Sequence, residues 1–129
     1  MRFLLDTNIW ISAVLVDGNE RRLIDAVRGR GGSLVVPAIV REELENALRM
    51  LLPSKLDHER RRLIWLALAA ESEPFSRTAT GDDAVLAEVG SIQPEFLVTG
   101  DRALLHRKRH GGTSIVRTRD ALRILGYPD

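Results

Sequence analysis

The 129-residue sequence contains no cysteine, and this absence excludes several classes of chemistry. A disulfide scaffold, a thiolate metal site and a cysteine nucleophile all require that residue. A metal ion would have to be held by oxygen or imidazole ligands. Only three histidines are present, namely His58, His106 and His110.

Long apolar runs are absent as well. No stretch of about 18 apolar residues occurs, so no segment is predicted to span a membrane. The first apolar run is interrupted at Asp6, which is too early for a signal peptide. With 44% hydrophobic and 29% charged residues, the composition is that of a globular protein, and the length is that of one domain. We therefore expect a single domain over residues 1–129, located in the cytoplasm.

The sequence also lacks a large excess of charge of either sign, because the formal net charge is only +1. The distribution of charge is more informative, since a basic cluster interleaved with His106 and His110 lies near the C-terminus. It comprises Arg102, Arg107, Lys108 and Arg109. Such a cluster is either a solvated loop or a rim that binds phosphate groups, and both interpretations are open at this point.

Short apolar runs alternate with longer segments of helical periodicity. The runs predict strands over residues 2–5, 33–36, 95–98 and 114–116. Helices are predicted over residues 7–16, 20–28, 37–52, 55–72, 82–92, 102–105 and 118–125, with a polar connection over 76–81. Asn19 is predicted to be the N-cap of the second helix. This alternation favours a three-layer α/β/α fold with a central parallel sheet, and it leaves the strand order open.

Two acidic residues follow predicted strands directly. Asp6 comes after the first strand and Asp101 after the third. Ligands of a parallel sheet bind beyond the carboxyl ends of its strands, although aspartate is also common in turns. Two such carboxylates repel each other unless a cation neutralises them. The basic cluster begins directly after Asp101, so we expect it at the same edge.

Helical periodicity separates Glu43 from the other acidic residues near it. In the helix predicted over residues 37–52, Glu43 falls about 80° from the centre of the apolar stripe. It therefore borders the interior, whereas Glu42 faces solvent. The alternative is a boundary residue paired with an arginine such as Arg41 or Arg49.

Asp82 and Asp83 begin a predicted helix and supply a fourth acidic position. The sequence TGDD over residues 80–83 also matches a capping box, which would give these acids a purely structural role. Helical phase places Asp82 nearer the apolar stripe. Phase is a weak guide in a first turn, so Asp83 is retained.

One chemistry would use all four acidic positions. Clusters of oxygen ligands select hard cations such as Mg²⁺ or Mn²⁺. Such a cation activates water and shields the charge of a phosphodiester during displacement. A basic rim beside the cation would hold a polyanionic substrate.

At these positions the sequence resembles the PIN domain family, in the form of its VapC-like toxins. The similarity rests on LLDTN at residues 4–8, VREEL at 40–44, DDAVLA at 82–87, LVTGDRALL at 97–105 and SIV at 114–116. These segments occur in the family's order and span nearly the whole chain. The resemblance therefore implies a PIN-like fold.

The resemblance also implies a function. It implies the toxin of a toxin–antitoxin pair: a homodimeric endoribonuclease that uses Mg²⁺ or Mn²⁺ and is inhibited by a small antitoxin protein. The family's register makes Asp6, Glu43, Asp83 and Asp101 catalytic and metal-binding, and Asp82 is kept as a further metal ligand. Thr7, Asn8 and Thr99 would support them through hydrogen bonds.

Other functions fit the sequence less well. A haloacid-dehalogenase-type phosphatase needs a second aspartate two residues after Asp6, where this chain has Asn8. A response-regulator receiver needs a lysine after a late strand, and neither Lys55 nor Lys108 ends a clear strand. A PIN-fold module that binds RNA or protein without catalysis is the main alternative. Acids at all four positions favour the nuclease.

Overall fold

A computed structural model describes residues 1–51, 58–70 and 82–127. The strands are β1 (Arg2–Leu5), β2 (Ser33–Val35), β3 (Phe96–Val98), β4 (Arg109–His110) and β5 (Thr113–Val116). The helices are α1 (Thr7–Leu15), α2 (Asn19–Gly29), α3 (Ala38–Leu51), α4 (His58–Ala69), α5 (Asp82–Ile92), α6 (Arg102–Arg107) and α7 (Thr118–Ile124). Within the described residues, no helix combines the length and apolar character that a membrane span requires.

The strands form one sheet in the order β2-β1-β3-β5-β4. The first four strands in this order pair in parallel, whereas β4 pairs antiparallel with β5 at the edge. The predicted α/β architecture is confirmed. The central parallel sheet is confirmed with it, and β4, a strand of two polar residues that was not predicted, adds an antiparallel edge.

Helices cover both faces of the sheet, as the apolar strands predict. Side chains alternate along β1, so that Phe3 and Leu5 enter one core while Leu4 enters the other. The first core includes buried side chains of α1, α2, α3, α4 and α7. The second includes those of α5 and α6. The rings of Phe3 and Phe96 stack at 5.1 Å and join β1 to β3.

The predicted element boundaries differ from the structure by a few residues. Asn19 was predicted to cap α2 from outside, but Gly18 occupies that position and Asn19 is the first helical residue. Helix α3 begins at Ala38, and the carbonyl of Pro37 accepts from the Arg41 amide. The connection predicted over residues 76–81 lies outside the described residues.

Three neighbouring strands end level with one another. The Asp6 amide, directly after β1, donates to the carbonyl of Val98 at 2.9 Å. The Thr99 amide, directly after β3, donates to the carbonyl of Val116 at 3.0 Å. The residues that follow β1, β3 and β5 therefore lie side by side at the carboxyl edge of the sheet.

Candidate metal centre at the carboxyl edge

Asp6 is fixed at the end of β1 by hydrogen bonds to both of its carboxylate oxygens. Its Oδ1 accepts from the Thr7 amide at 2.8 Å, which makes Asp6 the N-cap of α1. Its Oδ2 accepts from the Thr99 hydroxyl at 2.9 Å. The carboxylate is held in one orientation and is still partly exposed to solvent.

Thr99 links Asp6 to Asp101. Its side chain is fully buried, and the same Oγ1 that donates to Asp6 accepts from the Asp101 amide at 3.1 Å. The Asp101 carboxylate caps α6, where its Oδ1 accepts from the Leu104 amide at 3.0 Å. The Thr99 hydroxyl therefore connects Asp6 with the backbone of Asp101, the two acids predicted from the strand ends.

Glu43 reaches the same place from α3. Its Oε2 lies 3.4 Å from Oγ1 of Thr7, a buried residue whose amide is bound by Asp6. Burial raises the pKa of the Glu43 carboxyl, the Asp6 carboxylate raises it further, and the Thr7 hydrogen bond opposes both. Glu43 and Glu42 are both exposed, so the two residues do not differ in burial as the helical phase predicts, but the Glu43 carboxyl group turns toward Thr7 and Asp6.

The other predicted site residues are less well placed or lie outside the description. Asn8 is exposed on α1, and its side chain has no hydrogen bond to the described acids. Helix α5 begins at Asp82, as predicted, but the side chains of Asp82 and Asp83 lie outside the described part of the chain. In the remaining residues, no group of three acids, histidines or cysteines is arranged to enclose a metal ion.

The basic cluster does not lie together at the carboxyl edge. Arg102 follows Asp101 there, but Arg109 pairs with Ser114, which in turn pairs with Phe96 at the start of β3. At about 3.3 Å per residue, this level is about 10 Å from the carboxyl edge. The expectation of one shared edge was therefore wrong for Arg109. The direction of α6, which leads away from Asp101, could not be read from the sequence.

A cavity of about 600 Å³ opens beside Thr99 and Gly100. It is lined further by Ile9, Asn19, Glu20, Arg117, Thr118, Arg119, Asp120 and Arg123. Arg117 follows β5 directly, in the position that Asp6 has after β1. Its position at the end of a strand is predictable from the sequence in the same way as that of Asp6. It was not predicted as a site residue because arginine is not a metal ligand.

A solved structure has a fold similar to that of this chain, whereas no curated protein sequence matches it. It is the crystal structure of VapBC2 from Rickettsia felis bound to a DNA fragment from the VapBC2 promoter, and one of its chains resembles this protein in fold. The TM-score is 0.62 at 16% sequence identity, and the match covers 91% of this chain and 98% of that one.

The family itself is identified by a match over almost the whole sequence. The family model of the PIN domain matches residues 3–122, which include Asp6, Glu43 and Asp101. The five-stranded sheet with helices on both faces agrees with this match. The chain belongs to the PIN domain family.

Proposed function

We propose that the protein is an endoribonuclease that uses Mg²⁺ or Mn²⁺ and is the toxin of a toxin–antitoxin pair. The observation that carries this proposal is the convergence of Asp6, Glu43 and Asp101 at the carboxyl edge. Thr7 joins the first two and Thr99 joins Asp6 to the third. These acids come from three distant parts of the sequence and are connected at this edge by the two threonines.

The carboxylates present fit a hard divalent cation. Mg²⁺ keeps several waters in proteins and takes only one or two carboxylates, so a closed cage of ligands is not required. Asp6 and Glu43 provide such a pair, and the raised pKa of Glu43 reflects in part the repulsion that a cation would relieve. We propose that Asp6, Glu43 and Asp101, together with Asp83 and Asp82, hold the ion, some directly and the others through its bound waters.

The chain's own residues have two tasks in this proposal. The carboxylates bind the cation, which supplies Lewis-acid chemistry when present. Thr7 and Thr99 orient the carboxylates through the hydrogen bonds described above. In the reaction, a water oxygen bonds to phosphorus and the bond to the leaving oxygen breaks. No side-chain nucleophile is required, in agreement with the absence of cysteine.

The biological role extends the same proposal. The VapC-like motifs and the likeness to VapBC2 support a toxin whose partner is a small antitoxin protein. We also propose a homodimer that acts on RNA in the cytoplasm. Here the cleaved phosphodiester belongs to RNA, as the resemblance to VapC-like toxins implies.

The test is cleavage of RNA by the purified protein with Mn²⁺, compared with Asp6→Asn and a control, Asp17→Asn. Asp17 is an exposed aspartate beyond the far end of α1. We expect cleavage by the wild type and by Asp17→Asn, and a loss of at least about 100-fold in Asp6→Asn. Equal cleavage by Asp6→Asn would refute the proposal. RNA binding without cleavage by any form would favour the non-catalytic module.

A further inference from the structure

We propose that the cavity beside Thr99 and Gly100 is a subsite for single-stranded RNA, in which Arg117 and Arg119 bind a backbone phosphate next to the scissile one. This subsite rests on the proposed ribonuclease function and deepens it, since it names the residues that hold the substrate. The carboxylates at the edge can bind a cation, but they repel a polyanion. A nuclease with this centre needs cationic groups close by to bind its substrate.

The position of Arg117 is fixed by the sheet. The Thr99 amide donates to the carbonyl of Val116, and the Thr99 hydroxyl donates to the carboxylate of Asp6. Arg117, which follows Val116, therefore lies one strand away from Thr99 and two strands away from Asp6. Two strand spacings correspond to about 10 Å. An RNA strand with one phosphate at Asp6 would therefore place a neighbouring phosphate within reach of the long Arg117 side chain.

The charge of the cavity favours an anion. Arg117 and Arg119 are exposed, and neither side chain has an ion-pair partner among the residues that the structure describes. Asp120 lies 3.8 Å from Arg123, so these two lining charges offset each other. The other charged residues that line the cavity are Arg117, Arg119 and Glu20, so the net charge of the lining is positive. Arginine presents a planar fork of N–H donors that matches phosphate oxygens.

The size and lining of the cavity favour a nucleotide over a protein segment. A volume of about 600 Å³ is in the range of pockets that hold one small ligand unit. Among the described lining residues, Ile9 is the one large apolar side chain, and only 5% of it is exposed. The centre of a protein interface is typically apolar or aromatic, which this cavity is not.

The experiment measures binding of a fluorescein-labelled short oligouridine in EDTA across a series of KCl concentrations. All variants carry Asp6→Asn, so that cleavage does not interfere. The test variant is Arg117→Gln/Arg119→Gln. The control is Arg28→Gln/Arg30→Gln, which removes the same charge from exposed arginines at the C-terminal end of α2, near the start of β2.

Each phosphate contact with single-stranded nucleic acid contributes about 0.7 to the slope of log affinity against log salt. We therefore expect the test variant, which loses one phosphate contact, to lower the slope by about 0.7 and to weaken binding about tenfold, while the control leaves both unchanged. Arg117→Lys/Arg119→Lys should keep the slope, because the charges remain. Thermal unfolding of each variant shows whether the fold is retained.

Equal slopes in the test variant and the control would overturn the subsite, as would the absence of RNA binding in the parent protein. It would also be overturned if the test variant kept its RNA slope but lost binding to a protein partner. These results are separable from the proposed function. Cleavage by the wild type with an unchanged slope removes only the subsite, whereas a lowered slope without cleavage removes only the catalysis.

Discussion

The Thr99 hydroxyl donates to Asp6 at 2.9 Å and, through the same oxygen, accepts from the amide that leads into Asp101. One buried atom therefore sets the spacing between two acids that are 95 positions apart in the sequence. Thr99 has no charge and cannot bind the substrate by ion pairing. Its contribution is to position the acids.

We expect Thr99→Val to reduce RNA cleavage about 10- to 100-fold, because both hydrogen bonds are lost while the shape is kept. The free energy of unfolding should fall by about 1–2 kcal/mol, since the Asp101 amide loses its acceptor. Thr99→Ser retains the hydroxyl and should recover most of the activity. If Thr99→Val and Thr99→Ser cleave equally well, the positioning role is wrong.

A second prediction concerns the stability of the metal-free protein. Folding raises the pKa of Glu43, so its contribution to stability is fully present below the pKa of the unfolded chain and is lost as the pH rises through the folded pKa. In EDTA at pH 7.5, Glu43→Gln should therefore melt at a higher temperature than the wild type. The difference should disappear toward pH 4.

The matched control is Glu45→Gln, at an exposed acid two residues further along α3. In saturating Mn²⁺ the wild type should melt at a higher temperature than Glu43→Gln, because the bound ion stabilises the folded wild type and Glu43→Gln has lost one of its ligands. A wild type that melts above Glu43→Gln in EDTA would contradict the burial of this carboxyl near Asp6.

Metal binding supplies a third prediction. In isothermal titration with Mn²⁺, Asp101→Asn should bind at least about tenfold more weakly than the wild type. Asparagine can still cap α6 through its side-chain oxygen, so the helix should remain intact. Asp17→Asn serves as the control of equal charge. Unchanged affinity in Asp101→Asn would remove Asp101 from the site.

The basic cluster gives a fourth prediction, which the structure divides into two parts. Arg102→Gln should weaken oligouridine binding and lower its salt slope by about 0.7, because Arg102 lies beside Asp101 at the carboxyl edge. Arg109→Gln should leave the slope unchanged, because Arg109 pairs with Ser114 near the start of β5. Equal effects of the two substitutions would mean that RNA follows a path over the whole cluster.

The sequence was sufficient for the parts of the site that depend on local pattern. Asp6 and Asp101 could be placed because apolar runs precede them and parallel strands end together. Glu43 was selected over Glu42 by helical phase, which is regular in the middle of a long helix, and its role in the site stays a prediction. These three predictions required no knowledge of strand order.

The sequence was insufficient where tertiary pairing decides the structure. Strand β4 forms because Arg109 and His110 meet β5 across a tight turn, and two polar residues carry no strand signal. The position of Arg109 depends on the direction of α6, which local pattern does not encode. Arg117 follows β5 as Asp6 follows β1, but an arginine does not bind a metal ion and was therefore not predicted as part of the centre.

The pairing of β1 with β3 has a consequence during protein synthesis. Phe3 pairs with Phe96, so the edge that holds the candidate centre cannot assemble before β3 has left the ribosome. A nascent chain that stops before β3 carries Asp6 and Glu43 without Thr99 or Asp101. For a protein proposed to cut RNA, this order of synthesis delays activity until β3 and the residues after it have left the ribosome.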